Sequence, residues 1–271
     1  MSRSRFSRKL ASSVQIAGAL VLALALAGCG NKQASEENTE SAAAAHTGGK
    51  PVDAATAGTV TGTVRFEGAL PQMRNINMID VPNCAKMHST PVLTEGVVPG
   101  ENGTLQNVMV YLQGDFRGYS FPQAGEPVKV EQRGCVYSPH VVAVMTGDSL
   151  QVSNEDQVTH NINAMSQFRQ GWNETQTPGW APVMRQLMHE EIPMTVKCNM
   201  HPWMRFYLAV LSHPYFQVTG KDGQFTLRNV PPGNYTLTAW QETYGTKKQS
   251  IAVQPKQEQN VTITFTDKDH L

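Results

Sequence analysis

The chain has 271 residues, of which 40% are hydrophobic, and its 22 basic side chains formally balance 22 acidic ones. Four of the basic residues lie within the first nine positions, before any acidic residue. Without them the balance is 18 basic against 22 acidic, a net charge of −4. This excess of acidic residues argues against nucleic acid as a partner.

The N-terminal segment has the pattern of an export signal. The basic residues precede an apolar run, residues 16–27, which is too short to span a bilayer and has the length of a signal-peptide core. The run ends in Leu26-Ala27-Gly28-Cys29, which resembles a bacterial lipobox. The resemblance implies cleavage before Cys29 and several acyl chains on that residue, which together anchor a protein stably. An ordinary cleavage site beside an unrelated cysteine is the alternative.

We therefore expect residues 1–28 to be a lipoprotein signal peptide. The mature protein is then lipid-anchored in a bacterial cell envelope and faces the periplasm or the exterior. Residues 29–57 are predicted to be a flexible tether, because from residue 31 onward they contain no large apolar side chain except Val52. About 215 residues remain, enough for one large domain or two modest ones.

The remaining sequence predicts β-strands throughout. Residues 59–66 alternate threonine or arginine with valine, glycine and phenylalanine, the period of a strand with one buried face. Turn signals such as Gly147-Asp148 and Pro231-Pro232-Gly233 separate later strands. Only residues 182–191 are compatible with a short helix. The other predicted strands are 105–112, 128–130, 141–145, 150–152, 194–198, 206–211, 224–227, 235–240 and 261–265. This pattern predicts an all-β protein of Greek-key or sandwich type.

The first and last strands together resemble one small β-sandwich. TVTGTVRFEG and NVMVYLQG, followed much later by TGKDGQFTLRNVPPGNYTLTAWQ, are similar to carboxypeptidase regulatory-like and transthyretin-like domains. The resemblance implies that residues 58–126 and 214–267 are two parts of one outer module, into which residues 127–213 are inserted. Two sandwiches in tandem are the alternative. The resemblance implies no peptidase activity, because such domains accompany a separate catalytic domain.

A cluster of soft metal ligands lies in VKCNMHPWMRFYLAV, residues 196–210. Cys198, His201 and Met204 are spaced three residues apart, and His160 lies upstream after a predicted strand and turn. Two imidazoles, a thiolate and a weak thioether form the ligand set of blue-copper sites. The sulfur ligands favour Cu(I), whereas imidazole suits both copper states.

Residues 128–212 resemble a cupredoxin. Their C-x2-H-P-aromatic-M motif is similar to the ligand loop of the amicyanin type, and PHVVAVMTGDSLQVSNEDQVTHN is similar to the family's strand, Gly-Asp turn, strand and H-N pattern. The resemblance implies a Greek-key sandwich that binds one mononuclear copper, and it makes Asn161 the residue that ties the two ligand loops together. The implied ligands are His160, Cys198, His201 and, in the axial position, Met204.

The surface around the ligand loop is predicted to dock a redox partner. The resemblance makes His201 the ligand nearest the surface. Met200, Pro202 and Trp203 would form an apolar rim around its exposed edge, and such a surface suits weak, transient contacts.

The chain departs from a minimal cupredoxin in the 37 residues that separate His160 from Cys198. This segment contains Trp172 and Trp180, which are candidates to cover the site or to dock a partner. Solvent access to the site therefore stays open at this point.

Four cysteines are present, and a lipidated Cys29 leaves three in an oxidising envelope. Cys198, which has ligands at metal-binding spacing, is assigned as the free thiolate. Cys84 and Cys135 are then a candidate disulfide. The alternative is a second metal site that uses Cys135 with His140.

No motif supports catalysis. Multicopper oxidases need H-x-H pairs and histidines beside the ligand cysteine, whereas Lys197 and Asn199 flank Cys198. The sequence has no G-x-S-x-G, and Pro193 replaces the second histidine of an H-E-x-x-H motif that begins at His189. We predict a lipid-anchored copper protein for electron transfer, not an enzyme, with a cytochrome or a dehydrogenase as its partner. The alternatives are a copper carrier or chaperone, and an adhesion or carbohydrate-binding sandwich with an incidental site.

Overall fold

The structure is a computed structural model that describes residues 48–269. The predicted signal peptide, Cys29 and most of the predicted tether lie outside the described residues. Within that range the chain forms sixteen β-strands, one short helix, α1 (Pro82–Ala85), and one 3-10 turn (Glu101–Gly103). The predicted all-β fold is confirmed. Neither described helix has the length and apolar character that crossing a membrane requires.

Two sheets combine strands from both ends of the described chain. The three-stranded sheet has the order β13 (Gln224–Val230), β1 (Gly58–Glu67), β16 (Glu258–Thr266). The four-stranded sheet has the order β12 (Phe216–Val218), β2 (Met109–Gln113), β14 (Gly233–Gln241), β15 (Gly245–Val253). Every second residue of β1 is buried, as the period-two pattern predicts. The buried faces share one core that includes Val64, Phe225, Leu237 and Phe265. We call this pair of sheets the outer sandwich.

The other two sheets use the strands between β2 and β12, and we call them the central sandwich. The five-stranded sheet has the order β5 (Val141–Met145), β11 (Arg205–Leu211), β10 (Glu191–Lys197), β7 (His160–Met165), β8 (Trp172–Gln176). The four-stranded sheet has the order β4 (Tyr137–Ser138), β3 (Val128–Gln132), β6 (Ser149–Asn154), β9 (Val183–Gln186). Parallel pairs β5–β11 and β3–β6 lie among antiparallel ones. The sheets share a core that includes Leu150, Ile162, Val196 and Phe206.

The long segment before the ligand loop belongs to the central sandwich. The prediction of a short helix at residues 182–191 is wrong, because β9 pairs antiparallel with β6 in that range. β8 pairs with β7, so that Gln176 lies opposite His160. The segment thus extends both sheets. Trp172 packs partly buried against the central core, whereas Trp180 is 63% exposed in the turn between β8 and β9.

The connections between the sandwiches bring the two parts of the chain together. Residues 48–57, which the prediction assigned to the tether, contact the loop after β2, where Lys50 N donates to Gly118 O and Lys50 O accepts from Ser120 N. After β1 the chain crosses to the central sandwich, whose core includes Met78 and Cys84. The strand pairing supports insertion of residues 127–213 into an outer module, and these domain boundaries remain our proposal.

Candidate metal centre

Three of the predicted ligands meet at one end of the central sandwich. His160 begins β7, whereas Cys198 and His201 lie in the turn between β10 and β11. The Nδ1 atoms of His160 and His201 are 3.1 Å apart, and Cys198 Sγ is 3.5 Å from His201 Nδ1. One donor atom from each of the three residues lies within 4.8 Å of the others. All three side chains are buried.

This arrangement fits copper in both spacing and chemistry. Metal bonds of about 2.0 Å to nitrogen and about 2.3 Å to sulfur place donors on one ion roughly 3 to 4 Å apart. Two imidazoles with a thiolate form the trigonal set that type 1 copper sites use. The side chains of His160, Cys198 and His201 could therefore hold one copper ion.

Asp156 orients His160. Its Oδ2 atom lies 2.9 Å from His160 Nε2, so Nε2 carries the proton and Nδ1 directs its lone pair toward the other ligands. The same carboxylate accepts hydrogen bonds from Gly134 N and Cys135 N at 2.6 and 2.8 Å. Burial raises the pKa of Asp156, but the hydrogen bonds from His160, Cys135 and Gly134 outweigh it, so the pKa lies below its usual value.

Asp156 was not among the predicted site residues. The available signal was an acidic residue four positions before a predicted histidine ligand. A carboxylate on the outer nitrogen of a ligand histidine is a common supporting group at metal sites.

The Cys198 side chain is held as a hydrogen-bond acceptor. Asn161 N donates to Cys198 Sγ at 3.3 Å. Burial raises the pKa of the thiol, but the interaction with the His160 side chain and hydrogen bonds from the backbone of Met200, Asn161 and His201 lower it more. The pKa of Cys198 is therefore below its usual value, which favours the thiolate that binds metal.

Asn161 connects the two segments that supply ligands. Its Oδ1 atom accepts a 3.3 Å hydrogen bond from Asn199 N, next to Cys198. Its Nδ2 atom donates to Asn173 Oδ1 at 2.8 Å and to Glu174 O at 3.1 Å. The side chain thus links β7 and β8 to the ligand turn.

Met204 closes that turn. Its amide donates to His201 O at 2.9 Å, and its carbonyl accepts from Cys198 N at 3.0 Å. The side chain is 1% exposed and belongs to the central core. The axial role of its sulfur remains a prediction.

The expectation that His201 presents an exposed edge is wrong, because its side chain is only 4% exposed. The Trp203 ring lies over it, with centroids 5.4 Å apart. A ring nitrogen of His201 also lies within 4.8 Å of the sulfurs of Cys84 and Cys135. Trp203, from the same turn, and the two sulfurs, from residues distant in the sequence, therefore surround His201. Of the predicted rim, Met200 is 44% exposed, Pro202 is exposed and Trp203 is half-buried.

Cys84 and Cys135 form a disulfide with a Cα–Cα distance of 5.6 Å. In residues 48–269, Cys198 is the only free cysteine. The alternative site of Cys135 with His140 does not form, because the Cys135 sulfur is bonded to Cys84. His140 instead lies 3.0 Å from Glu242 Oε1 and 3.6 Å from Glu95 Oε2.

Comparisons with known proteins agree with parts of this description. The profile of the carboxypeptidase regulatory-like domain matches residues 213–266, so the second outer segment is similar to that domain. No curated protein sequence matches the chain.

Several solved structures share part of the fold. A copper-containing nitrite reductase from Thermus scotoductus SA-01 is 18% identical, with 38% of this chain and 25% of that chain covered and a TM-score of 0.30. A purple cupredoxin from Nitrosopumilus maritimus is 19% identical, with 31% and 98% covered and a TM-score of 0.27. A reduced amicyanin variant is 17% identical, with 32% and 84% covered and a TM-score of 0.29. Because these likenesses are partial, the metal assignment depends on the side chains of this chain.

Proposed function

We propose that this protein is a single-copper electron carrier with a type 1 site, in which His160, Cys198, His201 and Met204 would hold the ion. The observation that carries the proposal is the buried convergence of two imidazole Nδ1 atoms and one free thiol within 4.8 Å. Copper bound by this set supplies a one-electron couple between Cu(I) and Cu(II).

The protein's contribution is to keep the ligands fixed. His160 is part of β7, and the turn between β10 and β11 that holds the other ligands is closed by backbone hydrogen bonds of Met204 with Cys198 and His201. Asp156 and Asn161 fix the orientation of His160 and of the ligand turn. Burial of the imidazoles and the thiol excludes water. Ligands held in fixed positions would suit electron transfer, because little rearrangement would then accompany a change of the copper oxidation state.

We further propose that acyl chains on Cys29 anchor the carrier in a bacterial envelope, and that its partners are redox proteins such as a cytochrome or a dehydrogenase. The carrier is not an enzyme in this proposal, and the net charge of −4 is not that of a nucleic-acid binder. Metabolic labelling with a fatty acid tests the anchor. Label and membrane association should disappear in Cys29→Ser, and label retained by that variant would refute the anchor.

The copper site is tested by the visible spectrum of the purified protein with one equivalent of Cu(II). We expect an intense band from sulfur-to-copper charge transfer, bleached by ascorbate and restored by ferricyanide. Cys198→Ser should abolish the band, whereas replacing both Cys84 and Cys135 by serine should leave a coloured protein. Colourless Cu(I) that exchanges readily would support copper delivery instead, and no bound copper would refute both functions.

A further inference from the structure

Residues 133–136, between β3 and β4, contact the surroundings of both histidine ligands, and we call them the clamp turn. Arg133 N donates to Val136 O at 3.0 Å. Gly134 and Cys135 have φ values of +65° and +55°. A left-handed conformation is unfavourable at a residue other than glycine and is found where the surrounding structure enforces it.

The clamp turn reaches His160 through Asp156. Both backbone N–H groups of Gly134 and Cys135 donate to the Asp156 carboxylate. The oxygen that accepts from Cys135 N also accepts from His160 Nε2. A displacement of Cys135 would therefore move the group that sets the orientation of His160.

Cys135 also contributes to the surroundings of His201, through its carbonyl oxygen and through its sulfur. Cys135 O accepts a 2.9 Å hydrogen bond from Trp203 Nε1, and the Trp203 ring covers His201. The sulfurs of Cys84 and Cys135 lie within 4.8 Å of a His201 ring nitrogen. The backbone and the sulfur of Cys135 thus both restrict the space available to His201.

The clamp turn is bound to the segment between β1 and β2 by a disulfide and a hydrogen bond. Cys84, in α1, is joined to Cys135 by the disulfide, and both are fully buried. His88 Nε2 lies 2.7 Å from Gly134 O and forms a hydrogen bond to it. A Cβ on Gly134 would lie 2.7 Å from His88 Cε1, so glycine permits this close contact.

We propose that the clamp turn positions both imidazole ligands, and that the Cys84–Cys135 disulfide keeps it in place and closes the copper site. This inference rests on the proposed copper function. A dithiol reductant would open the clamp. It delivers two electrons and two protons, the S–S bond breaks to give two thiols, and the dithiol becomes a disulfide. Copper release is then coupled to the thiol state of two residues that are not ligands.

The experiment measures transfer of Cu(I) from the loaded protein to bathocuproine disulfonate. Release from the Cys84→Ser, Cys135→Ser double variant should be about ten- to a hundredfold faster than from the wild type, the range typical for loss of groups that support metal ligands. Wild-type protein whose disulfide has been reduced, with the reductant then removed, should behave like the double variant. Thiol counting before and after reduction verifies the state of the bond.

A second variant keeps the disulfide and the aromatic cover. Trp203→Phe removes the hydrogen bond to Cys135 O and keeps an aromatic ring, and it should also speed release and shift the charge-transfer band of the Cu(II) form. Trp180→Phe is the matched control, because Trp180 is 63% exposed and lies in the turn after β8. A general loss of stability would not move the band of molecules that remain loaded.

Unchanged release and an unchanged band in Trp203→Phe and in the reduced wild type would overturn the clamp, even if the double serine variant failed to fold. A wild type that shows no charge-transfer band would reject the copper function and the clamp together. If the wild type shows the band but releases copper at the same rate with the disulfide intact or reduced, the clamp alone is rejected.

Discussion

Asp156 Oδ2 accepts a 2.9 Å hydrogen bond from His160 Nε2 and a 2.8 Å hydrogen bond from Cys135 N. One carboxylate oxygen therefore fixes a candidate copper ligand and the backbone of a residue in the disulfide beside the other histidine. The ligand set alone does not describe this site, because the orientation of its imidazoles depends on groups that never touch the metal.

Asp156→Asn should weaken copper binding by about ten- to a hundredfold, since an amide cannot accept from all three N–H groups that the carboxylate serves. The reduction potential should rise, because removing a negative charge near the site disfavours Cu(II). Copper titration and voltammetry measure both effects. Glu126→Gln, which removes an exposed carboxylate in the loop before β3, should change neither. Equal affinity in the two variants would show that Asp156 does not support the ligand.

Met204→Gln should keep copper bound and lower the reduction potential, because an amide oxygen is a harder donor than a thioether and favours Cu(II). The control is Met200→Gln in the same turn, because Met200 is 44% exposed and is not a predicted ligand. Its potential should match that of the wild type. A Met204 variant with an unaltered potential would remove this residue from the ligand set.

Strands in which apolar and polar residues alternate clearly were predictable from the sequence, whereas polar strands were not. The alternation from Val60 to Phe66 was sufficient to predict β1. β8 contains the polar residues Asn173, Glu174 and Thr175, and only its pairing with β7 defines it as a strand. A short helix was wrongly expected within residues 182–191, because the strand β9 in this range is defined by its pairing with β6.

The ligand types were predictable, but their surroundings were not. Short-range spacing places Cys198, His201 and Met204 on one turn. Part of the surroundings of His201, in contrast, comes from Cys84 and Cys135, which are distant in the sequence and adjacent only in the folded chain. Spacing within a motif carries no information about a cover of this kind.

Docking of a redox partner should depend on the exposed residues next to the ligand turn. Met200→Glu should slow bimolecular electron exchange with a c-type cytochrome several-fold, because a charge replaces apolar surface in a transient contact. The visible spectrum should not change. Met188→Glu is the matched control, since Met188 is 38% exposed and follows β9. The preceding residue, Leu187, accepts a hydrogen bond from Gly147 N in the turn before β6. Equal slowing by both variants would mean that net charge, and not this surface, controls the rate.

His213, just after β11, should make the folded protein sensitive to acid. Its ring is 5% exposed and packs against Phe116 and Tyr215. Its Nδ1 atom accepts a hydrogen bond from Tyr215 N at 3.2 Å, which requires the neutral ring. Burial lowers the pKa of His213 from 6.5 to about 4, although the nearby Glu190 carboxylate opposes this change.

Between pH 6.5 and about 4 the unfolded chain therefore binds a proton at His213 that the folded chain does not. The stability that this residue contributes is present above pH 6.5 and is lost as the pH falls through that window, by about 3 kcal/mol in total. Chemical denaturation of the copper-free protein at several pH values measures this loss. His213→Gln, which keeps an acceptor but cannot be protonated, should have a flatter dependence of unfolding free energy on pH. His189→Gln, at an exposed histidine, should follow the wild type. Parallel curves for the wild type and His213→Gln would show that His213 takes up its proton equally in both states.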